Sequence, residues 1–284
     1  MNERLNAITS RVMEHLHDVI AEFKVTEDEL RSALDFLTAV GKSEEYPLLS
    51  DVLLVSVAVD NVTHWAEQDG NSTASNVEGP LYRDEAPILI APVNICSVEG
   101  AEDDILFVSG QVVSSEDGSP LANAVLDVWQ ANGEGDYENE DPNQPDYNLR
   151  GRMLTDENGR YEFRSVVPAA YEIGKGGPVG EFLKTIGRHA WRPAHIHFKL
   201  AQEGFNSVTT MLFIEDDPYI DDDAIGAVKS SLILQLEKCA DPDEMAKRGV
   251  ERPFYTAEYD FKLRPETTGE ARSKENSTDF VASK

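Results

Sequence analysis

The sequence predicts a chain of mixed class, an antiparallel β-sandwich preceded by an α-helical N-terminal region. Three observations carry this. Residues 1–66 repeat apolar side chains at three- and four-residue steps, the spacing of one helix face. From Asp104 the pattern becomes a series of short β-like runs separated by turn residues. No helical segments alternate with those runs, which argues against a doubly wound parallel sheet.

In the first helix Leu5, Ile8, Val12, His15 or Leu16, Val19 and Ile20 share a face. Thr26 and Glu29 form a capping box that opens a second helix through Leu30, Ala33, Leu34, Leu37 and Val40. Gly41 is expected to stop it. Residues 48–62 are too apolar for a solvated helix, so at least two of their faces should be covered. Residues 67–103, with Gly70, Gly79, Pro80, Pro87, Pro92 and Gly100, form a loop-rich connector. Within a sandwich domain at 104–265, strand-like runs fall at 105–113, 122–130, 159–167, 193–201 and 208–214. Residues 223–239 fit a helix or a strand. Residues 266–284 are polar and read as a flexible tail.

The chain has 284 residues, enough for one large domain or two modest ones. Its 25 Lys and Arg against 53 Asp and Glu leave a net charge of −28. That balance argues against a nucleic acid or an anionic membrane surface as partner. No run of about 18 apolar residues suggests membrane insertion, and the opening MNERLNAITS lacks the apolar segment of a secretory signal. With only two cysteines, Cys96 and Cys239, a disulfide framework and a Cys-rich zinc site are excluded, and a reducing cytoplasm is expected. The acidity reads as a solubility device, with adaptation to high salt as the alternative.

Six histidines are present: His15, His17, His64, His189, His195 and His197. In the run 193–200, strand alternation puts His195, His197 and Lys199 on one face and Ile196, Phe198 and Leu200 on the other. Two imidazoles about 7 Å apart at Cα can converge on one metal ion. His15 and His17 lie in a helix, where two residues turn through about 200°, so they diverge. Imidazole accepts zinc, copper, iron or nickel, and spacing alone does not choose among them.

The ordered set of motifs is more specific. Asp127-Val-Trp-Gln-Ala-Asn-Gly-Glu-Gly-Asp-Tyr137, Asn148-Leu-Arg-Gly-Arg152, Val167-Pro-Ala-Ala-Tyr171 and Gly187-Arg-His-Ala-Trp-Arg-Pro-Ala-His-Ile-His197 follow one another. Glu78-Gly-Pro-Leu-Tyr82, Thr155-Asp-Glu-Asn-Gly-Arg-Tyr161 and Asp217-Pro-Tyr-Ile-Asp-Asp-Asp-Ala224 accompany them. The chain thereby resembles the intradiol ring-cleavage dioxygenases, the catechol and hydroxyquinol 1,2-dioxygenase group, from the N-terminal helices to about Leu263.

The resemblance implies a β-sandwich catalytic domain, an N-terminal helical linker that dimerises, and one non-haem Fe(III) per subunit. Its ligands would be Tyr137, Tyr171, His195 and His197. The substrates would be a small aromatic diol and O2, with catechol opened to cis,cis-muconate; the alternative is hydroxyquinol opened to maleylacetate. Tyr171 would leave the iron as the diol binds and take a substrate proton. Arg192 would stabilise negative charge on the substrate, with Arg188 and Arg150 holding weaker claims. Substrate contacts would come from Val57, Asp60, Val77, Pro80, Leu81, Ile173, Arg192 and Ile225, with Asp60 able to bind a third ring hydroxyl. Members of the group often hold a phospholipid at the helical interface. Among the other tyrosines, Tyr161 reads as strand packing and Tyr147 as a hydrogen-bonding group behind the ligands. One position departs from the common pattern: Met211 stands where many catechol-type members carry glutamine, which removes a donor near the metal. A non-iron metal-binding β-sandwich, whether a zinc or copper enzyme on the same histidine strand, and a metal-free binding module are the competing readings.

Overall fold

The computed structural model describes residues 2–65, 70–98, 103–174 and 176–266. Helix α1 spans Glu3–Phe23, started by Asn2, whose side chain accepts the Leu5 N–H at 2.9 Å. Helix α2 spans Glu27–Lys42 and opens on the Thr26–Glu29 capping box. Gly41 lies inside it, and the helix ends one residue later. The apolar stretch 48–62 does not form one helix. It divides into α3, Tyr46–Val52, and α4, Val55–Thr63, bent by 79° where Leu54 takes a left-handed φ of 60°.

Each of these two short helices buries one face. Leu49 and Val52 pack with Val40 and with Val179 and Leu183 of α5, Pro178–Thr185. Val57 and Asp60 are the buried residues of α4. Leu53, Leu54, Val55, Val59 and Val62 are exposed, so the second covered face expected from the sequence is not supplied within one chain. The apolar face of α1, from Leu5 to Phe23, is exposed as well. No single described helix is long and apolar enough to cross a membrane.

The β region is a two-sheet sandwich. One sheet combines β1 (Val93–Asn94), β2 (Ile105–Ser114), β5 (Arg160–Val166), β11 (Glu237–Cys239), β12 (Phe254–Glu258) and β13 (Phe261–Leu263). The other runs β10 (Ile233–Leu234), β9 (Val208–Ile214), β8 (His195–Ala201), β3 (Val125–Gln130) and β4 (Arg150–Leu154). Leu106, Val108 and Phe163 of the first sheet meet Leu126, Val128, Phe198 and Leu212 of the second in one core. Long ladders such as β2 with β5 and β8 with β9 are antiparallel, as expected. The first strand and three late ones depart from that pattern: β1 lies parallel to β5, β12 and β13 to β2, and β10 to β9.

Local detail explains the difference. β12 and β13 share one edge of β2, bending apart beside Gly110. A Cβ there would lie 1.9 Å from the Tyr259 carbonyl oxygen, so the close approach requires glycine. Residues 223–239 form no long element but a short 3-10 turn, Ser230–Leu232, followed by β10 and β11. The tail expected at 266–284 lies outside the described residues apart from Glu266.

The net charge of −28 makes one consequence measurable. Self-repulsion among exposed carboxylates opposes the compact state, and salt screens it. The midpoint of thermal unfolding is expected to rise by on the order of 5 °C between low salt and about 1 M sodium chloride. A flat or falling midpoint in a calorimetric salt series would show that the acidic surface carries no such strain.

Candidate metal centre

The centre begins with the alternation of β8. Ile196, Phe198 and Leu200 are fully buried between the sheets, which turns His195, His197 and Lys199 to the opposite face. On that face His197 pairs across the ladders with Trp129 of β3 and Met211 of β9. The indole of Trp129 stacks on the His197 ring, 4.6 Å between centroids and 9° between planes.

The two tyrosines arrive from different directions. Tyr137 follows β3 in a loop turned by Gly135, whose φ is 88°. A Cβ at Gly135 would come within 2.7 Å of the Ala170 oxygen and 3.0 Å of the Tyr171 Cβ, so only glycine lets the two loops close together. Tyr171 lies in a two-residue strand, β6 (Tyr171–Glu172), paired with β7 (Trp191–Arg192) in the register Tyr171 opposite Arg192. Their rings converge. Tyr137 meets Tyr171 edge-on at 5.5 Å, Tyr171 lies 5.6 Å from His195, and Tyr137 lies 6.4 Å from His197.

The nitrogen and oxygen atoms at the middle define the chemistry. The Nε2 atoms of His195 and His197 face each other at 3.2 Å. His195 Nδ1 lies 2.7 Å from the Pro193 carbonyl oxygen, the geometry of an N–H donor, which leaves the lone pair on Nε2. Burial, reinforced by the charge of Arg192, pushes the His195 pKa down to about 3. Burial and the neighbouring His195 hold His197 well below its ordinary value. Both rings are therefore neutral donors at neutral pH. The Tyr137 hydroxyl and His197 Nδ1 are buried and have no hydrogen-bond partner. Burial, with Tyr171 beside it, raises the Tyr137 phenol well above its usual value, so its proton leaves only when a cation compensates.

These features fit a single metal ion. A lone-pair nitrogen on His195 facing the His197 Nε2, an unpartnered His197 Nδ1 and an orphaned phenol are costly alone and complementary to a shared cation. Among the described residues no group of three or more His, Cys, Asp or Glu side chains is placed to hold a metal, so a site here depends on tyrosine oxygen. Hard phenolate oxygens with imidazole suit ferric iron.

Arg192 is buried beside this centre. Its Nη1 lies 3.3 Å from His195 Nε2, and Asp223 accepts its Nε–H at 3.2 Å and its Nη2–H at 3.4 Å. The same carboxylate accepts the backbone N–H of Ala227 at 2.9 Å, tying the arginine to the segment that carries Ile225. Met211 offers only its sulfur to Arg192, at 3.4 Å, a weak acceptor where glutamine has an amide.

A cavity of about 440 Å³ opens onto Tyr171, Arg192 and His197. Pro80, Leu81, Ile173 and Ile225 line it, as the sequence reading placed them. Three others do not. Val57 packs in the sandwich core. Val77 and Asp60 line a neighbouring hollow behind the cavity wall. Asp60 is fully engaged there, accepting from Ser75 at 3.1 Å and pairing with Lys229 at 3.0 Å and with His64 at 2.9 Å. Leu48 and Asp51 of α3 reach the cavity instead. They stand three residues apart, hence on one helix face, and that spacing was the available signal. Arg188 holds the helix end in place, donating to the Val52 oxygen at 2.7 Å and the Ala224 oxygen at 2.9 Å.

The remaining candidates are placed as follows. Tyr161 is buried in β5 and donates to the Tyr259 oxygen at 2.7 Å, a packing role. Tyr147 lies under the Arg83 guanidinium at 4.2 Å, and its hydroxyl donates to the Asp84 oxygen at 3.4 Å. His189 and His64 pair with Asp222 and Asp60. His15 and His17 lie exposed on α1.

Comparison with known proteins agrees with this geometry. The family described as Dioxygenase matches residues 77–265, and that described as Catechol dioxygenase N terminus matches residues 2–71. A hydroxyquinol 1,2-dioxygenase of Rhizobium sp. is 40% identical over 92% of this chain and 89% of its own length. A catechol 1,2-dioxygenase of Acinetobacter baylyi is 33% identical over 92% of this chain and 86% of its own. The crystal structure of hydroxyquinol 1,2-dioxygenase from Pseudomonas putida superposes with a TM-score of 0.84 at 38% identity, covering 93% of both chains. With its two-sheet core, its tyrosine-histidine cluster and these matches along nearly the whole sequence, the chain belongs to the intradiol ring-cleavage dioxygenase family.

Proposed function

We propose that Tyr137, Tyr171, His195 and His197 hold one non-haem Fe(III) per subunit, and that the chain opens aromatic 1,2-diols between their hydroxylated carbons. Both atoms of O2 enter the product, so catechol becomes cis,cis-muconate. The convergence of those four rings, with Tyr171 and His197 open to the cavity, carries the reading. Held by Tyr137, Tyr171, His195 and His197, a ferric ion would supply the Lewis acidity that activates a bound diol toward O2.

The protein's own groups account for the rest. Tyr171 is only partly buried and faces the cavity, so it is the tyrosine able to move off and accept a proton from the entering diol. Arg192, fixed by Asp223, keeps a positive charge in a dry site and stabilises the deprotonated substrate oxygens. Leu48, Pro80, Leu81, Ile173 and Ile225 clamp the ring and exclude water. Ferric reconstitution should give a red to burgundy protein, and catechol should yield the muconate ultraviolet spectrum. A colourless ferric protein, or an extradiol semialdehyde as sole product, would overturn the proposal.

Asp51 favours hydroxyquinol, opened to maleylacetate, as the preferred diol. It is the carboxylate on α3 that lines the cavity. Burial raises its pKa, while the Ser56 hydroxyl and the charge of Arg192 draw it down. A third ring hydroxyl gives this carboxyl a donor that catechol lacks. Replacing Asp51 with leucine is expected to lower the ratio of kcat/KM for hydroxyquinol over catechol by about ten-fold or more, the worth of a hydrogen bond to a charged group. An unchanged ratio would return the preference to catechol.

The exposed apolar faces of α1 and of Leu53, Leu54, Val55, Val59 and Val62 support a homodimer with room for a phospholipid at the helical interface. Two free cysteines, Cys96 and Cys239, support a cytoplasmic setting.

A further inference from the structure

Beside Tyr137 a row of charges runs from the buried Arg150 and Glu138 out to the partly exposed Arg83, and the reaction does not use it. Arg150 opens β4 opposite Trp129, the residue stacked on His197. Its side chain is 2% exposed. The guanidinium faces the Tyr137 ring, 5.9 Å from Cζ to centroid. Glu138 accepts its Nε–H at 2.6 Å, and Asn139 accepts from Nη2 at 3.0 Å. Its Nη1 is buried with no hydrogen-bond partner. Glu138 is itself buried and gripped from the other side by Arg83, whose Nη1 lies 2.9 and 3.1 Å from the two carboxylate oxygens. Arg83 also reaches the exposed Asp146 at 3.5 Å and covers the Tyr147 ring.

Burying the Arg150 guanidinium against the Glu138 carboxylate, with the partly exposed Arg83 at its rim, is costly, and apolar side chains of similar volume would hold the loop at lower cost. The arrangement sets one positive charge, that of Arg150, over the face of one tyrosine, where it interacts with the ring's π-electrons. That interaction strengthens when the ring carries the negative charge of a phenolate. We propose that Arg150, held by Glu138 and Arg83, is a positioning residue that sets the electron-donor strength of Tyr137 toward the iron. The inference rests on Tyr137 being a ligand. A cation near the ring lowers the energy of the phenolate's donor electrons more than that of the more distant metal, so it raises the energy of the phenolate-to-iron charge-transfer band. Removing the cation lowers that energy; removing its counter-anion raises it.

The test is the visible spectrum of ferric-loaded Arg150→Met, Arg150→Lys and Glu138→Gln, with iron content and far-ultraviolet circular dichroism measured on each. Arg150→Met is expected to move the band to longer wavelength by on the order of 10 nm. Arg150→Lys should restore it towards the parent position, and Glu138→Gln should move it to shorter wavelength. A role confined to pinning the loop would shift Arg150→Met and Glu138→Gln in the same direction or neither, and either result overturns the proposal. If Arg150→Met does not fold, the direction of the Glu138→Gln shift decides alone. Failure of the underlying ligand assignment is distinguishable, because Tyr137→Phe would then leave the parent band unchanged.

Discussion

His197→Ala is expected to strip the proposed ferric centre and lower turnover of catechol by more than about 100-fold, the upper range for losing a partner that only supports a ligand. The reason lies in how tightly the ring is held. His197 is buried between Trp129, stacked at 4.6 Å, and the facing Nε2 of His195 at 3.2 Å. Its removal takes away one of two neutral nitrogen donors and leaves the His195 lone pair beside Arg192 with no cation to share. Iron per subunit, the charge-transfer band and kcat should fall together. Retention of stoichiometric iron and the full band would remove His197 from the ligand set. The fold should survive, because the apolar face of β8 is unaltered.

Arg192→Met is expected to lower kcat by about 10²- to 10³-fold, the range for deleting one preorganised charge-stabilising donor. Burial works against the guanidinium's charge, but Asp223 and the two tyrosines more than offset it and hold its pKa above the ordinary arginine value. Burial raises and Arg192 lowers the Asp223 carboxyl, with the net direction down. The variant therefore also strands a buried carboxylate, costing about 3–5 kcal/mol of stability. Lysine should not rescue it, because one ammonium cannot reproduce the two-point grip of Asp223 on Nε and Nη2 while also facing His195. The charge-transfer band should persist in Arg192→Met, since no ligand is lost. Near-parental kcat would show that the substrate's charge is stabilised elsewhere.

Much of this centre was readable from local rules. Alternation along 195–200 set which face the histidines take, because Ile196, Phe198 and Leu200 had to enter the core. The capping box at Thr26 and the packing role of Tyr161 followed from spacing of the same kind. The substrate wall was read less well. Two acids, Asp51 and Asp60, sit in one apolar stretch, and periodicity could not tell which faces the cavity. The left-handed turn at Leu54 decided it, directing α3 at the cavity and the Asp60 face of α4 at Lys229.

The sequence by itself determined the sandwich class, the side of the strand on which the histidines lie, and the family to which the motifs belong. Only the tertiary structure decided that β12 and β13 run parallel to β2, that Asp51 displaces Asp60 at the cavity, and that Arg150 stands over Tyr137. The physical reason is range. Side-chain direction along a strand or helix repeats every few residues and is written locally. Pairings between distant segments depend on which chain returns past which edge, and a single backbone torsion can redirect everything that follows it.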